Sequence, residues 1–313
     1  MSQHRATGRP SRLSFFNEQD PPELRELVAN GVVRGLLREL DAHVTMGLRD
    51  LSDERAAAVK ELMAEDIPVG AWLLLERADG YFATLDNVDA VEARVAAFRA
   101  WTRRHGLRFT SLGFDFEPDL RDLELLFRRP FRALGAWTRR SFDRSRRAGA
   151  LRRYTALLQG LAAEGWKLET YQFPLLLDDR QSGSEFFQRL VGALDVPVER
   201  EVVMAYASLL GPLGPGLVGE WARGARAVAV GSTGGGIDPL PKLSFDELAR
   251  DLRLAARSCD DVSIFSLEGC VEHGYLPRLV DFDWDAPVEL PLSQRAGARA
   301  LRATASVVAR VLR

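Results

Sequence analysis

Two carboxylates separated by a single residue, Asp115 and Glu117, stand in the segment Gly113-Phe-Asp-Phe-Glu-Pro-Asp119. On an extended strand the side-chain period of two places both acids on one face and Phe114 and Phe116 on the other. Like charges held together beside an apolar wall cannot both ionise cheaply, so at least one pKa rises, and a raised carboxyl is a general acid. The chemistry expected of the pair is acid-assisted bond cleavage. Asp115 and Glu117 are therefore the leading candidates for catalytic residues.

Other residues could bind a substrate beside them. Tyr171-Gln172 offers an aromatic plane and an amide, Asn17 and Glu18 offer hydrogen bonds, and Trp72, Tyr81 and Trp284 offer faces on which the apolar C–H surface of a sugar ring could stack. A second acid is sought among Glu268, Glu169 and Glu76, with Glu268 preferred because Gly269 beside it leaves room for a ligand. The run Gly231-Ser-Thr-Gly-Gly-Gly236 could bring backbone amides to a phosphate, or it could be a turn that needs positive φ. It lacks the G-K-[ST] ending of a Walker loop and the spacing of a dinucleotide fingerprint.

The elements that must position these residues follow a rhythm. Eight apolar, β-branched or aromatic runs recur, at 13–16, 43–48, 69–75, 109–116, 168–175, 201–207, 227–231 and 262–267. Each is followed by a polar turn and then helical periodicity, the pattern of βα units. Eight strands alternating with helices favour a closed (β/α)8 TIM barrel over an open doubly wound sheet. Val88, Val91, Val95, Phe98 and Trp101 form the inner stripe of one helix, and Ser244-Phe-Asp-Glu247 is a capping box that opens another. The chain is expected to be one barrel domain over 1–313 with a helical insertion at about 120–166, whose basic stretch Arg139 to Arg153 is a lid, a partner surface or a solvated helical face. In such barrels the active site lies at the C-terminal ends of the strands, where Asp115 and Glu117 stand on the fourth.

With the strands counted, the sequence resembles the family 18 glycoside hydrolases, the chitinase-like barrels, whose fourth strand ends in D-x-x-D-x-D-x-E. The last two acids of that motif fall on Asp115 and Glu117, while Thr110 and Gly113 take the places of the first two. Met204-Ala-Tyr206 is similar to the family's M-x-Y-D, with Ala207 in place of its aspartate. The resemblance implies a retaining, substrate-assisted glycosidase, an exception to the usual two-carboxylate scheme. It would make Glu117 the acid and Asp115 the residue that orients the substrate's 2-acetamido group, with Tyr206 donating a hydrogen bond. A non-catalytic sugar-binding barrel and an enzyme of a phosphorylated substrate using the Gly231–Gly236 loop are the alternatives.

Composition narrows the field further. The 313 residues are 46% hydrophobic, enough for a large core, and 42 basic against 44 acidic side chains give no net field for a nucleic acid or an anionic membrane. Lysine occurs only at 60, 167 and 242, so the positive charge is nearly all arginine, a coding bias before it is a recognition signal. Cys259 and Cys270 make no disulfide framework and the four histidines lack metal-ligand spacing, so neither a metal nor another cofactor is expected. No signal-peptide-like or membrane-spanning stretch is seen, which predicts a cytoplasmic protein acting on a carbohydrate or another small molecule.

Overall fold

The computed structural model describes residues 8–117, 144–235 and 241–312. Eight strands close into a barrel in the order β1 to β8: Arg12–Asn17, Ala42–Leu48, Val69–Leu73, Leu112–Phe116, Leu168–Gln172, Arg200–Met204, Ala227–Gly231 and Asp261–Phe265. Each lies inside or within a residue or two of one of the apolar runs. The runs were readable because strands walled in by helices on the outside and packed side chains on the inside are apolar on both faces. Neighbouring strands are parallel, as in the β1–β8 register Leu13 to Val262 and the β4–β5 register Asp115 to Tyr171.

The helices, numbered as they occur among the described residues, are α1 (Pro21–Ala29), α2 (Gly31–Glu39), α3 (Asp53–Ala64), α4 (Val88–His105), α5 (Arg144–Ala163) and α6 (Leu175–Ser182). They continue with α7 (Phe186–Val191), α8 (Gly214–Ala222), α9 (Phe245–Ala256), α10 (Leu267–Glu272), α11 (Tyr275–Val280) and α12 (Leu292–Val311). The stripe Val88, Val91, Val95, Phe98 and Trp101 is buried along α4, and the capping box at Ser244 opens α9. Of the expected insertion, α5 is described and 118–143 lie outside the described residues. Its basic face is taken up by ion pairs and hydrogen bonds: Arg146 with Asp86, Arg153 with Asp89 and Glu92, and Arg147 donating to Gln188 Oε1 and the Ala193 carbonyl. None of the helices among the described residues is long and apolar enough to cross a membrane.

By proximity the chain falls into two compact units, one of Met1–Thr45, Glu61–Pro68 and Val202–Arg302, the other of Met46–Lys60, Val69–Glu201 and Ala303–Arg313. The first holds β1, β7 and β8, and the second holds β3, β4 and β5.

Candidate active site

In the second unit the alternation read from the sequence holds along β4. Phe116 packs edge-on against Tyr154 of α5, with ring centroids 5.1 Å apart, so the phenylalanine face looks into the helix layer. Asp115 consequently points inward, where it is 3% exposed, and its Oδ2 accepts a hydrogen bond from Trp72 Nε1 at 3.1 Å. Glu117, the next residue on that face, is half-buried just past the last β4 residue. One acid is thus locked in the interior and the other is left within reach of solvent.

Gly113, two residues upstream on the same face, shows why one acid of the resembled motif is missing. A Cβ there would fall inside the van der Waals shell of Tyr171 Oη, so the tyrosine hydroxyl fills the volume that an aspartate would need. Tyr171 is fully enclosed, meets Trp72 edge-on at 6.0 Å and donates to Glu169 Oε2 at 3.2 Å. Burial, reinforced by the charge of Glu169, pushes its hydroxyl well above the usual tyrosine range and keeps it a neutral donor. Glu169 in turn takes Arg200 Nη1 at 2.6 Å. Removing that arginine would leave a buried charge uncompensated, so Glu169 is committed to the interior rather than to a ligand.

Three expectations about binding residues need correction. Tyr171 and Gln172 do not act as a pair: adjacent strand residues point to opposite faces, and Gln172 turns outward toward the Leu194 carbonyl while Tyr171 turns inward. Trp72 is only 4% exposed, so its indole orients Asp115 and offers no open face for a sugar. Trp284 packs edge-on against Phe282 at 4.8 Å, in a segment whose Asp285 carboxylate takes the backbone N–H of Gly8. That contact lies where the chain approaches β1, the opposite end of the strand from Asn17. Glu76 is exposed after β3.

A residue that sequence reasoning passed over holds the loop above β4. Asn87 accepts from Thr84 N at 2.8 Å and donates to the carbonyls of Asp79 and Phe82 at 2.8 and 2.7 Å. Tyr154 Oη reaches both Asn87 Oδ1 and the Thr84 carbonyl, and Ala83 N donates to the Asp115 carbonyl at 2.9 Å. The only signal in sequence was an asparagine immediately before a helical stripe, which reads as a cap. Here its side chain ties the loop instead.

In the first unit, Asn17 at the end of β1 and Glu268 just after β8 meet at the C-terminal strand ends. Asn17 Nδ2 donates to Glu268 Oε2 at 3.0 Å and to Gln19 Oε1 at 3.1 Å, and Glu18 N donates to Glu268 Oε1 at 3.3 Å. Asn17 Oδ1 is buried with no hydrogen-bond partner among the described residues, an acceptor open to a ligand hydroxyl. Burial pushes the half-buried Glu268 up to about 7, against hydrogen bonds from Ser266, Glu18 and Asn17 that favour its charged form. A Cβ at Gly235 would lie 2.6 Å from Glu268 Oε1, so the glycine loop packs against this carboxylate. The carboxyl group occupies space beside the loop that a phosphate would need there. Gly236 and Asp238 lie outside the described residues. Tyr206, after β6, packs on Phe265 with ring centroids 5.7 Å apart and remains partly accessible.

Among the described residues no group of histidine, cysteine and carboxylate side chains could hold a metal ion. Cys259 and Cys270 are buried free thiols.

Comparison with known proteins places the fold. The chain is similar to the solved structure of a candidate α-L-fucosidase from Bacteroides thetaiotaomicron, at 10% identity over 92% of this chain and 98% of that one, with a TM-score of 0.50. It is also similar to a GH18 chitinase from Pseudoalteromonas aurantia, at 9% identity, 86% and 98% coverage and a TM-score of 0.49. A third is a D-allulose 3-epimerase from Methylomonas, at 11% identity, 95% and 100% coverage and a TM-score of 0.44. At 10% identity the likeness to the fucosidase structure shows a shared barrel and no more. No protein-family model matches the chain, and no curated protein matches it either.

Proposed function

We propose that this protein is a glycosidase-like hydrolase of a carbohydrate, with Glu117 as the proton donor. The observation that carries the reading is the Trp72–Asp115 hydrogen bond at 3.1 Å. It fixes one carboxylate inside the barrel and leaves Glu117 as the accessible acid on the same face of β4, at the strand end where barrels of this kind do their chemistry. The fragments D-x-E and M-x-Y, similar to those of family 18, support the same assignment.

In this reading Glu117 gives its proton to the leaving glycosidic oxygen as that C–O bond breaks. The substrate's 2-acetamido oxygen bonds to the anomeric carbon, and Asp115 orients the acetamido group and balances the positive charge that develops on it. Water then opens the cyclic intermediate, and Glu117 takes back a proton from it.

A non-catalytic sugar-binding barrel is favoured by one observation, the Tyr171 hydroxyl filling the space beside Gly113. With Ala207 also lacking a carboxylate, the electrostatic support of Asp115 is reduced. A panel of aryl glycosides with and without a 2-acetamido group separates the two. Turnover that depends on the acetamido group supports the substrate-assisted enzyme, and saccharide binding without turnover of any glycoside overturns it in favour of the binding barrel.

A further inference from the structure

Within the first unit, and among helices rather than strand ends, α8, α9 and α12 border an open surface pocket of about 170 Å³. Four exposed arginines line it, Arg223, Arg257, Arg295 and Arg299, with Glu220 as the one acidic residue among them. Gly216 on α8 makes the arrangement possible: a Cβ there would lie 2.6 Å from the Gln294 carbonyl oxygen and 2.9 Å from Ala298 Cβ, so the two helices approach closer than any side chain would permit. Arg295 and Arg299 are one turn apart on α12 and share a face.

The charges in this pocket do not cancel. Glu220 Oε1 takes Arg223 Nη1 at 2.5 Å and Arg299 Nε at 3.1 Å, so one carboxylate serves two cations. Burial alone would raise the Glu220 pKa, but the two arginine hydrogen bonds outweigh it and hold the group below the usual carboxylate range. Arg257 and Arg295 make no side-chain hydrogen bond and no ion pair among the described residues. A basic residue just past the end of α9 suits the helix dipole, which accounts for Arg257. Arg295 in the first turn of α12 stands at the end where a cation is disfavoured, so the helix supplies no reason for it. Nor is the excess a sample of a basic surface, since the whole chain carries a net charge of -2.

We propose that this pocket binds a small tetrahedral oxyanion of the phosphate class, gripped by the two uncommitted forks of Arg257 and Arg295 and walled by the Arg223–Glu220–Arg299 triad. Guanidinium forks match such oxygens two at a time. The volume falls below the roughly 300 Å³ at which organic-ligand pockets begin, so the ligand is inorganic phosphate or a single phosphoryl group. The site is independent of the reaction proposed for β4.

Isothermal titration of the full chain tests it, with inorganic phosphate and glycerol 3-phosphate as probes and acetate at matched ionic strength as control. Phosphate saturates one site and acetate does not. In the double variant Arg257→Gln/Arg295→Gln the affinity falls about ten-fold or more, as expected for losing charge-assisted hydrogen bonds. Arg25→Gln, on the exposed side of α1, leaves it unchanged. Equal binding of glycerol 3-phosphate assigns the site to phosphomonoesters and its exclusion assigns it to the free anion, both within the proposal. Because the two substituted side chains have no partners to lose, an unchanged circular-dichroism melt shows that the variant is folded. Absence of saturable phosphate binding, or binding undiminished in the folded double variant, overturns the proposal.

Discussion

At the scale of single residues, three carboxyl groups are held in three different ways. Asp115 is enclosed and takes the Trp72 indole N–H, Glu117 is partly open, and Glu268 is clasped by Asn17 and the Glu18 backbone. Trp72→Phe keeps the ring and removes the donor. It should lower kcat severalfold by releasing Asp115 and cost about 1 to 3 kcal/mol of stability, the penalty for a buried acceptor left short of a donor. Steady-state rates and urea denaturation measure the two effects, and a variant indistinguishable from the parent in both would remove Trp72 from the site. Glu268 carries a pH signature. Its pKa rises from 4.5 to about 7 on folding, so between those values the folded chain retains a proton that the unfolded chain has lost. Stability conferred by the protonated form is present below 4.5, declines as pH rises to about 7 and is level above that. Glu268→Gln should flatten this decline, gaining about 1 to 2 kcal/mol over the parent between pH 4.5 and pH 8 once partial exposure is discounted. Identical pH slopes in urea titrations of the two proteins would contradict the burial argument.

At the scale of elements, the loop between β3 and α4 depends on one side chain. Asn87→Ala removes three hydrogen bonds that gather residues 79 to 84 over the end of β4. The expected cost is about 1 to 3 kcal/mol, with faster proteolysis confined to that loop, and cleavage spread evenly over the chain would show that Asn87 acts globally instead. Gly113→Ala is the companion test inside the barrel. Its new methyl group must displace Tyr171, so a loss of about 1 to 3 kcal/mol is expected, and Gly113→Ala/Tyr171→Phe should recover part of it. A Gly113→Ala chain as stable as the parent would mean that the tyrosine hydroxyl has another place to go. What was legible at this scale follows from period. The strands, the α4 stripe and the Ser244 capping box are local patterns, and local patterns survive in sequence. The same period of two also separates Tyr171 from Gln172, so their opposite faces are implied by the sequence itself. The occupancy of Gly113's space by Tyr171 is a contact between strands, visible only once β4 and β5 are in register.

At the scale of the whole molecule, eight parallel strands close in sequence order, and closure gathers all C-terminal strand ends at one rim. That topology was readable because each βα unit repeats the same alternation of apolar run, turn and amphipathic helix. The direction of the chain after β8 was not. Trp284 follows the last strand in sequence, yet α10 and α11 carry the backbone away from the strand end before it, and distance along the chain does not report that reversal. The arginine surplus, read from composition as coding bias, divides on inspection. Arg34, Arg153 and Arg180 each serve two acids between elements, surface pairs worth little individually, whereas Arg257 and Arg295 serve none among the described residues. The central claim, that Glu117 is a proton donor to a leaving glycosidic oxygen, is tested most directly by comparing the parent and Glu117→Gln on aryl glycosides of graded leaving-group acidity. A lost general acid matters most where the leaving group is poorest. In Glu117→Gln, kcat/KM is expected to fall by about 10²- to 10⁴-fold on the poor leaving groups and far less on the most acidic phenols. A Glu117→Gln enzyme that keeps parental kcat/KM across the whole series would contradict it.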